Sequence, residues 1–580
     1  MVAKSKLTPV MGDHPSHMRG VSESVGIIAT NMILLVLNCP VASAAGLQPE
    51  SEATQDTVGP QRRVRDATPK RITAPVAFDD FSDQPAYADA AYTIRPGWTI
   101  VPEFRLGETY TDNIALKKSS EAEDDFVTEL KPGIQVLGNT RRLAFELNYN
   151  LQHLVHASNP ELDDTFHRLF SSVNTELIEK LIFLDADTTL TQQNITTTGQ
   201  GAFSNFGPAA TLNDADDNIN DIGERQDVRT YRVSPYSRRR FGNFADAEVR
   251  FTYDDVSASD TNADIPQSNA SGVGDDSRSL NYRANVRSGS RYLRFPWALT
   301  YENRQIDFDS GETTNFEQII GGLEYVYSPS IRILGDLGYE KNSFESSEPL
   351  DDTIIWNIGG RWTPSARTTL EATYGKRFFG NRYAVNLSHQ TKRTTWLLRY
   401  DEQQETVRDR QIERAVRSRG INISPVDPVT GDPVLPDGGV PTQTNEVFVT
   451  RLLSSGVVFQ TERNQITLSV FDESRDFQSS GENQSLFGAT AIWTRRITPL
   501  TNLDASFGWT TTDGAQGRTS TSGSEDLINL RLQLQHWLGR SLLATIGYRR
   551  VELSSDAVQC DAVQCEFTEN RIFGNLRIAF

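Results

Sequence analysis

The sequence predicts an all-β fold: a closed antiparallel transmembrane β-barrel of about 22 strands (range roughly 18–24), with short periplasmic turns and long extracellular loops. Three observations lead there. Apolar and polar residues alternate in runs of roughly 10–14 residues, closer to the 9–11 of a tilted membrane strand than to the 5–6 of a globular one. The links between runs are alternately tight and long. Tryptophan gathers beside the tight links.

The chain has 580 residues, 37% of them hydrophobic, and a net charge of -19. That balance suits a barrel whose strands are apolar on one face, and it argues against a nucleic-acid partner, which needs a basic surface. One segment is continuously apolar, VGIIATNMILLVL from Val25 to Leu37, preceded by Arg19 and followed by Ala42-Ser43-Ala44. This order predicts a signal peptide over residues 1–44, cleaved between Ala44 and Ala45. Its leading region is long, and Met18 offers an alternative start. Residues 45–92 are rich in Pro, Ser, Gln, Asp and Ala without periodicity and read as a flexible periplasmic leader. The barrel is expected over 93–580. Cys39 leaves with the signal. Cys560 and Cys565, in the tandem DAVQCDAVQC, are expected to form a local disulfide in an oxidising compartment.

Within the barrel the period is two, which places successive side chains on opposite faces. In RLAFELNYNLQ (142–152), Leu143, Phe145, Leu147, Tyr149 and Leu151 oppose Ala144, Glu146, Asn148, Asn150 and Gln152. In 245–254, Val249, Phe251 and Tyr253 oppose Glu248, Arg250 and Thr252. In 280–287, Leu280, Tyr282, Ala284 and Val286 oppose Asn281, Arg283, Asn285 and Arg287. In 529–535, Leu530, Leu532 and Leu534 oppose Asn529, Arg531 and Gln533.

Tight links are expected at Asn139-Thr140, Gly242-Asn243, Ser328-Pro329, Pro364-Ser365, Thr391-Lys392, Arg463-Asn464 and Gly539. Long polar links are expected at 195–225, 257–276, 404–442, 513–524 and 553–567. Trp297, Trp362, Trp396, Trp493 and Trp537 lie close to tight links and Trp98 opens the first strand, which reads as one half of an aromatic girdle. A β-sandwich also alternates. Strand length and tryptophan placement favour the barrel over it, and the lack of a fixed repeat argues against a propeller.

With the apolar face toward lipid, the polar face lines a lumen. Its candidates are Glu146, Asn148, Glu248, Arg250, Arg283, Asn285, Arg287, Glu302, Arg304, Arg531 and Arg577. Such a lining can hydrogen-bond hydroxylated solutes such as sugars. Equally, it can solvate the wall and pair charges between neighbouring strands. A barrel of this size leaves a wide wet interior or needs a plug. No globular plug domain is visible, but the 404–442 link can fold inward, and its first part, TVRDRQIERAVRSR, is charged with helical character.

No HExxH, GxSxG, phosphate loop or CxxC pair occurs, and the chain reads as neither an enzyme nor a cofactor or metal protein. His153 and His156, near a strand top, read as solvated. In NDADDNINDIGE (213–224), Asp214, Asp216 and Asn218 imitate the start of a calcium loop, but Ile219 stands where glycine is required. A solvated acidic loop is the expectation.

The chain closes on RIFGNLRIAF. Ile572, Gly574, Leu576, Ile578 and Phe580 are expected to face lipid, and Arg571, Asn575 and Arg577 the lumen, with Phe573 and Ala579 as apolar exceptions there. In lipid no edge can stay unpaired, so this strand must pair with residues 98–112. Phe580 resembles the terminal aromatic signal read by the barrel-assembly machinery.

WTIVPEFRLGETYTDNIAL (98–116), YRVSPYSRRRFGNFADAEVRFTYD (231–254) and FTENRIFGNLRIAF (567–580) resemble the outer-membrane β-barrel family of PEP-CTERM/exosortase exopolysaccharide loci. The resemblance covers most of the chain after the signal. It implies a part in exopolysaccharide export and supplies no catalytic residues. The expected function is therefore an export conduit, with a docking barrel or a general porin as alternatives. The expected surroundings are outer-membrane lipid and lipopolysaccharide, the assembly machinery, polysaccharide and polysaccharide-export proteins, around a monomer.

Overall fold

The computed structural model describes residues 97–194, 218–220, 225–260, 276–347, 349–350, 353–417, 434–436, 438–439, 444–514, 524–555 and 566–580. The cleavage site at Ala44–Ala45, the leader and the Cys560–Cys565 pair lie outside them.

The described residues form twenty-two strands. The first seven are β1 (Gly97–Thr111), β2 (Asp125–Asn139), β3 (Leu143–His156), β4 (Asp164–Ile178), β5 (Ile182–Asn194), β6 (Arg225–Phe241) and β7 (Ala245–Asp260). Next come β8 (Ser277–Ser288), β9 (Trp297–Phe308), β10 (Thr313–Ser328), β11 (Ile331–Ser343), β12 (Thr353–Ser365), β13 (Thr368–Arg377), β14 (Gly380–Gln390) and β15 (Thr394–Thr406). A helix, α1 (Val407–Arg417), interrupts the series. The last seven are β16 (Val447–Gln460), β17 (Asn464–Phe477), β18 (Asn483–Thr498), β19 (Thr501–Asp513), β20 (Ser524–Trp537), β21 (Leu542–Ser555) and β22 (Phe567–Ala579).

Each strand pairs antiparallel with the next, and β22 returns to β1 in register from Glu103↔Ala579 to Thr111↔Arg571. The barrel is closed, as the cost of unpaired backbone groups in hydrocarbon demands. Across the seam Arg577 meets Glu103 at 2.7 Å, and Thr111 Oγ1 donates to Glu569 at 2.6 Å.

The expected tight links fall where consecutive strands meet, at what is here the short-turn rim, with Pro364-Ser365 forming the last two residues of β12, and the strands flanking each expected long link end at the opposite, long-loop rim. Alternation is not strict. The β9–β10 and β13–β14 connections on the long-loop rim are tight hairpins, and the β8–β9 link on the other rim is longer than its neighbours. Gly311 (φ +93) and Gly380 (φ +110) explain the two hairpins, because their left-handed backbone suits glycine and turns the chain within a few residues.

The outward face is apolar: Val249, Leu337, Ile354 and Ile546 are each at least 60% exposed. An apolar belt running around a closed sheet far exceeds the patches tolerated in water, and it matches a hydrocarbon solvent. Trp98, Trp297, Trp362, Trp396 and Trp493 share this face near the short-turn rim, whereas Trp537 falls on the inward register where β20 ends. Aromatic pairs mark the other rim as well: Tyr110–Phe126 (4.9 Å), Phe487–Trp509 (5.4 Å) and Trp356–Tyr374 (5.6 Å). Two aromatic belts thus bound the apolar band.

Candidate functional site

All eleven lumen candidates stand on the inward register. They meet one another and their neighbours more than they meet open space. Arg250 lies 2.9 Å from Asp185 and 3.2 Å from Glu248, with its guanidinium 3.8 Å from the centre of the Tyr236 ring. Arg283 is in register with both Arg250 and Glu302. Glu302 accepts from Asn281 at 2.8 Å and from Gln318 at 3.2 Å, and Asn285 donates to Thr300 at 2.8 Å. Arg287 is in register with Asp246. Asn148 accepts from Asn150 at 2.8 Å, and Glu146 shares their face. Arg531 lies over the Phe573 ring at 4.9 Å. That contact explains the apolar exception on β22: Phe573 fills the space beside Gly547, where a Cβ would collide with its ring.

Within the expected 404–442 link, the described residues that follow β15 fold inward. Thr406 Oγ1 accepts from the Asp409 N–H (3.2 Å), and the Asp409 carboxylate accepts from the Thr406 N–H (3.3 Å). This reciprocal cap satisfies two amides that a helix start leaves open. Good helix formers follow, and α1 runs through the lumen with a polar surface.

Its partners come from walls far apart in the strand order. From β9, Arg304 pairs with Asp409 at 2.7 Å. From β8, Ser277 accepts from Arg408 at 3.0 Å, and from β5, Gln193 donates to the Gln411 carbonyl at 3.1 Å. Ile412 packs on Val228 and Val256 of β6 and β7. On the other side Arg410 meets Glu405 of β15 at 2.5 Å and Glu473 of β17 at 2.7 Å. Helix α1 is therefore a strut across the lumen, and Val407 seats its base against Phe448 and Phe477.

Residues 434–436 and 438–439 also lie inward, along β16 and β17. Ser454 donates to the Pro436 carbonyl at 2.6 Å. Glu473 accepts from the Gly439 N–H (2.8 Å), Thr450 (3.0 Å) and Arg475 (2.8 Å), and Arg475 donates to the Gly439 carbonyl (2.6 Å) and Gln484 (2.8 Å). Glu473 and Arg475 are wholly buried. Gly438 (φ +90) sits so close that a Cβ would collide with the Glu473 carboxylate and the Arg410 guanidinium.

Two further pieces wedge the same rim. Ile114 packs with Val127, Leu154 and Ile219, and Leu116 with Phe471, Leu486 and Leu527. Asn220 donates to the Ile114 carbonyl (2.8 Å) and Glu569 (3.0 Å) and accepts from Arg571. Asn218 accepts from Gln152 and donates to Gln192. These three residues of the acidic loop thus pack inside the barrel instead of in solvent, because their amides complete hydrogen bonds that the wall offers. His156 is corrected likewise: it is buried, with Nε2 3.0 Å from the Ile219 carbonyl and Nδ1 3.4 Å from Asp163. His153 stays at the surface beside Thr165.

Charge within α1 follows from this packing. Burial pushes the Asp409 carboxyl up, but the facing Arg304 and Arg408 guanidiniums hold it below the usual carboxylate range. Burial also drives Arg408 down, and its Nη2 is buried without a hydrogen-bond partner. Burial lowers Arg410 too, but Glu405 and Glu473 raise it well above an ordinary arginine. The segment is held by charge–charge contacts and carries one poorly compensated cation.

No family model matches the chain, and no curated protein matches it. Solved structures do. The siderophore receptor PirA from Acinetobacter baumannii aligns over 83% of this chain and 80% of its own at 9% identity, with a TM-score of 0.46. A point mutant of the ferric enterobactin receptor PfeA from Pseudomonas aeruginosa, in complex with enterobactin, aligns over 84% and 82% at 10% identity, with a TM-score of 0.46. The FrpB iron transporter from Neisseria meningitidis aligns over 84% and 82% at 10% identity, with a TM-score of 0.45. The architecture described above is defined by this chain's own strand pairing.

Proposed function

We propose that this chain is an outer-membrane barrel that conducts a hydrophilic, hydroxylated polymer out of the cell, and that the inward-lying helix α1, with Pro436, Gly438 and Gly439 docked on β16 and β17, forms its gate. The observation that carries the proposal is the polar strut across the lumen. An apolar plug would expose its surface on leaving, at about 25 cal/mol per Å². A polar one exchanges its hydrogen bonds for those of water or hydroxyls at little net cost. The closed 22-strand sheet, its apolar outer face and its two aromatic belts support a place in the outer membrane.

An exopolysaccharide is the polymer this reading favours, in keeping with the resemblance of 98–116, 231–254 and 567–580 to barrels of exopolysaccharide loci. The wall supports it too, because its paired carboxylates, guanidiniums and amides present hydrogen-bonding groups without a strong net charge. In this role lipid and lipopolysaccharide surround the barrel, polysaccharide-export proteins feed it, and Phe580 helps the assembly machinery insert it. Removing the protein should lower extracellular polysaccharide while material accumulates in the periplasm. Unchanged amount and location would overturn the conduit.

A docking barrel with a permanently sealed lumen is the second reading, favoured by the buried Glu473–Arg475–Arg410 cluster. It predicts normal polysaccharide output with altered attachment at the cell surface.

A further inference from the structure

The two rims carry opposite charge. Glu121, Glu123, Asp124, Asp309, Glu345 and Glu482 are exposed at the long-loop rim. At the short-turn rim the exposed residues include Arg239, Arg294, Arg367, Arg393, Arg463 and Arg495. None of these six arginines has an ion-pair partner among the described residues. The inward-pointing arginines of the same rim do: Arg238 with Glu248 (2.7 Å), Arg240 with Asp246 (2.8 Å) and Arg332 with Glu324 (2.7 Å). The unpaired positive charge of this rim is therefore separate from its inward ion pairs.

Three of the six stand beside outward aromatics. The Arg239 guanidinium lies 5.9 Å from the Phe241 ring. Arg294 lies 5.7 Å from the Tyr325 ring and donates to its hydroxyl at 3.2 Å. Arg495 is two residues from Trp493 on the same outward register. Aromatic rings of a membrane barrel sit at headgroup depth. A guanidinium held beside them reaches the phosphates, which it binds through parallel N–H donors.

We propose that this rim is a collar for lipid headgroups of net negative charge in the leaflet around it. The proposal rests on the reading that the barrel spans a bilayer. Arginines this close to outward rings point toward surrounding lipid, whereas a protein docked beneath the rim would meet only the turn residues.

The test is lipid selectivity of the full chain, reconstituted in phosphatidylcholine with spin-labelled phosphatidylglycerol or phosphatidylcholine as probe. The wild type should hold phosphatidylglycerol about threefold more strongly, and the preference should fade in 1 M salt. The triple variant Arg239→Gln, Arg294→Gln, Arg495→Gln should lose most of the preference, and the corresponding triple change to Lys should keep most of it. Equal association of both lipids with the wild type, or a preference unchanged in the Gln variant, would overturn the collar. Salt-sensitive binding of polyglutamate without lipid preference would assign the arginines to an acidic protein instead. An absence of motionally restricted lipid of either kind would remove the bilayer-spanning reading, and the collar with it.

Discussion

Arg410 and Arg475 hold Glu473 between them where water is excluded, so losing one partner leaves a buried charge uncompensated. Arg410→Ala should weaken docking of the inward segment by about 3 kcal/mol, roughly a hundredfold in its equilibrium. Single-channel recording would show the open fraction rising; an unchanged open fraction would mean that the cluster does not hold the gate. Asp409 gives the segment its response to strong acid. It faces Arg304 from β9 and Arg408 on its own helix, with the Arg232–Asp254 pair beside them. Its docked pKa is depressed, so its contribution is complete above the free value of about 3.9 and disappears as pH falls through the lower docked value. The segment should stay docked from pH 7 to 5 and loosen only below about pH 4. Asp409→Asn should leak throughout. Conductance against pH checks both, and opening already at pH 6 would contradict this assignment.

Helix α1 depends on its cap because it is short, spanning Val407–Arg417, and its surface is polar. Thr406→Val removes the hydroxyl that caps Asp409, worth about 1 kcal/mol. Amide exchange over Val407–Arg417 should then quicken about fivefold, whereas unchanged exchange would show that wall contacts alone hold the helix. The strands were legible in the sequence because hydrocarbon on one face and a wet lumen on the other write period two into the runs, as 142–152 and 280–287 show. The inward helix was legible from its charge and helix formers, and the spacing of Thr406 and Asp409 was a further, unread signal of its start. Nothing local marks Asn218 and Asn220 as wedge residues. Their partners, Gln152 and Glu569, come from strands far apart in sequence. Nor does local sequence show that Arg304 is committed to Asp409, or Arg250 to Asp185.

At the scale of the whole molecule, closure and occlusion have different physical origins. Backbone pairing closes the wall and period two orients it, so the barrel and its polar lumen were readable from composition and spacing. Whether that lumen is open depends on side chains meeting across it, which no run of residues reveals alone. The closing register joins Thr406 directly to Val447, so the inward segment can be replaced by a tight turn without disturbing β15 or β16. Planar-bilayer conductance of the intact protein and of a variant with 407–446 replaced by such a turn is thus the most direct test. A small current from the intact protein and a large, steady one from the variant would agree with a gated polar conduit. Equal currents from the two would contradict it.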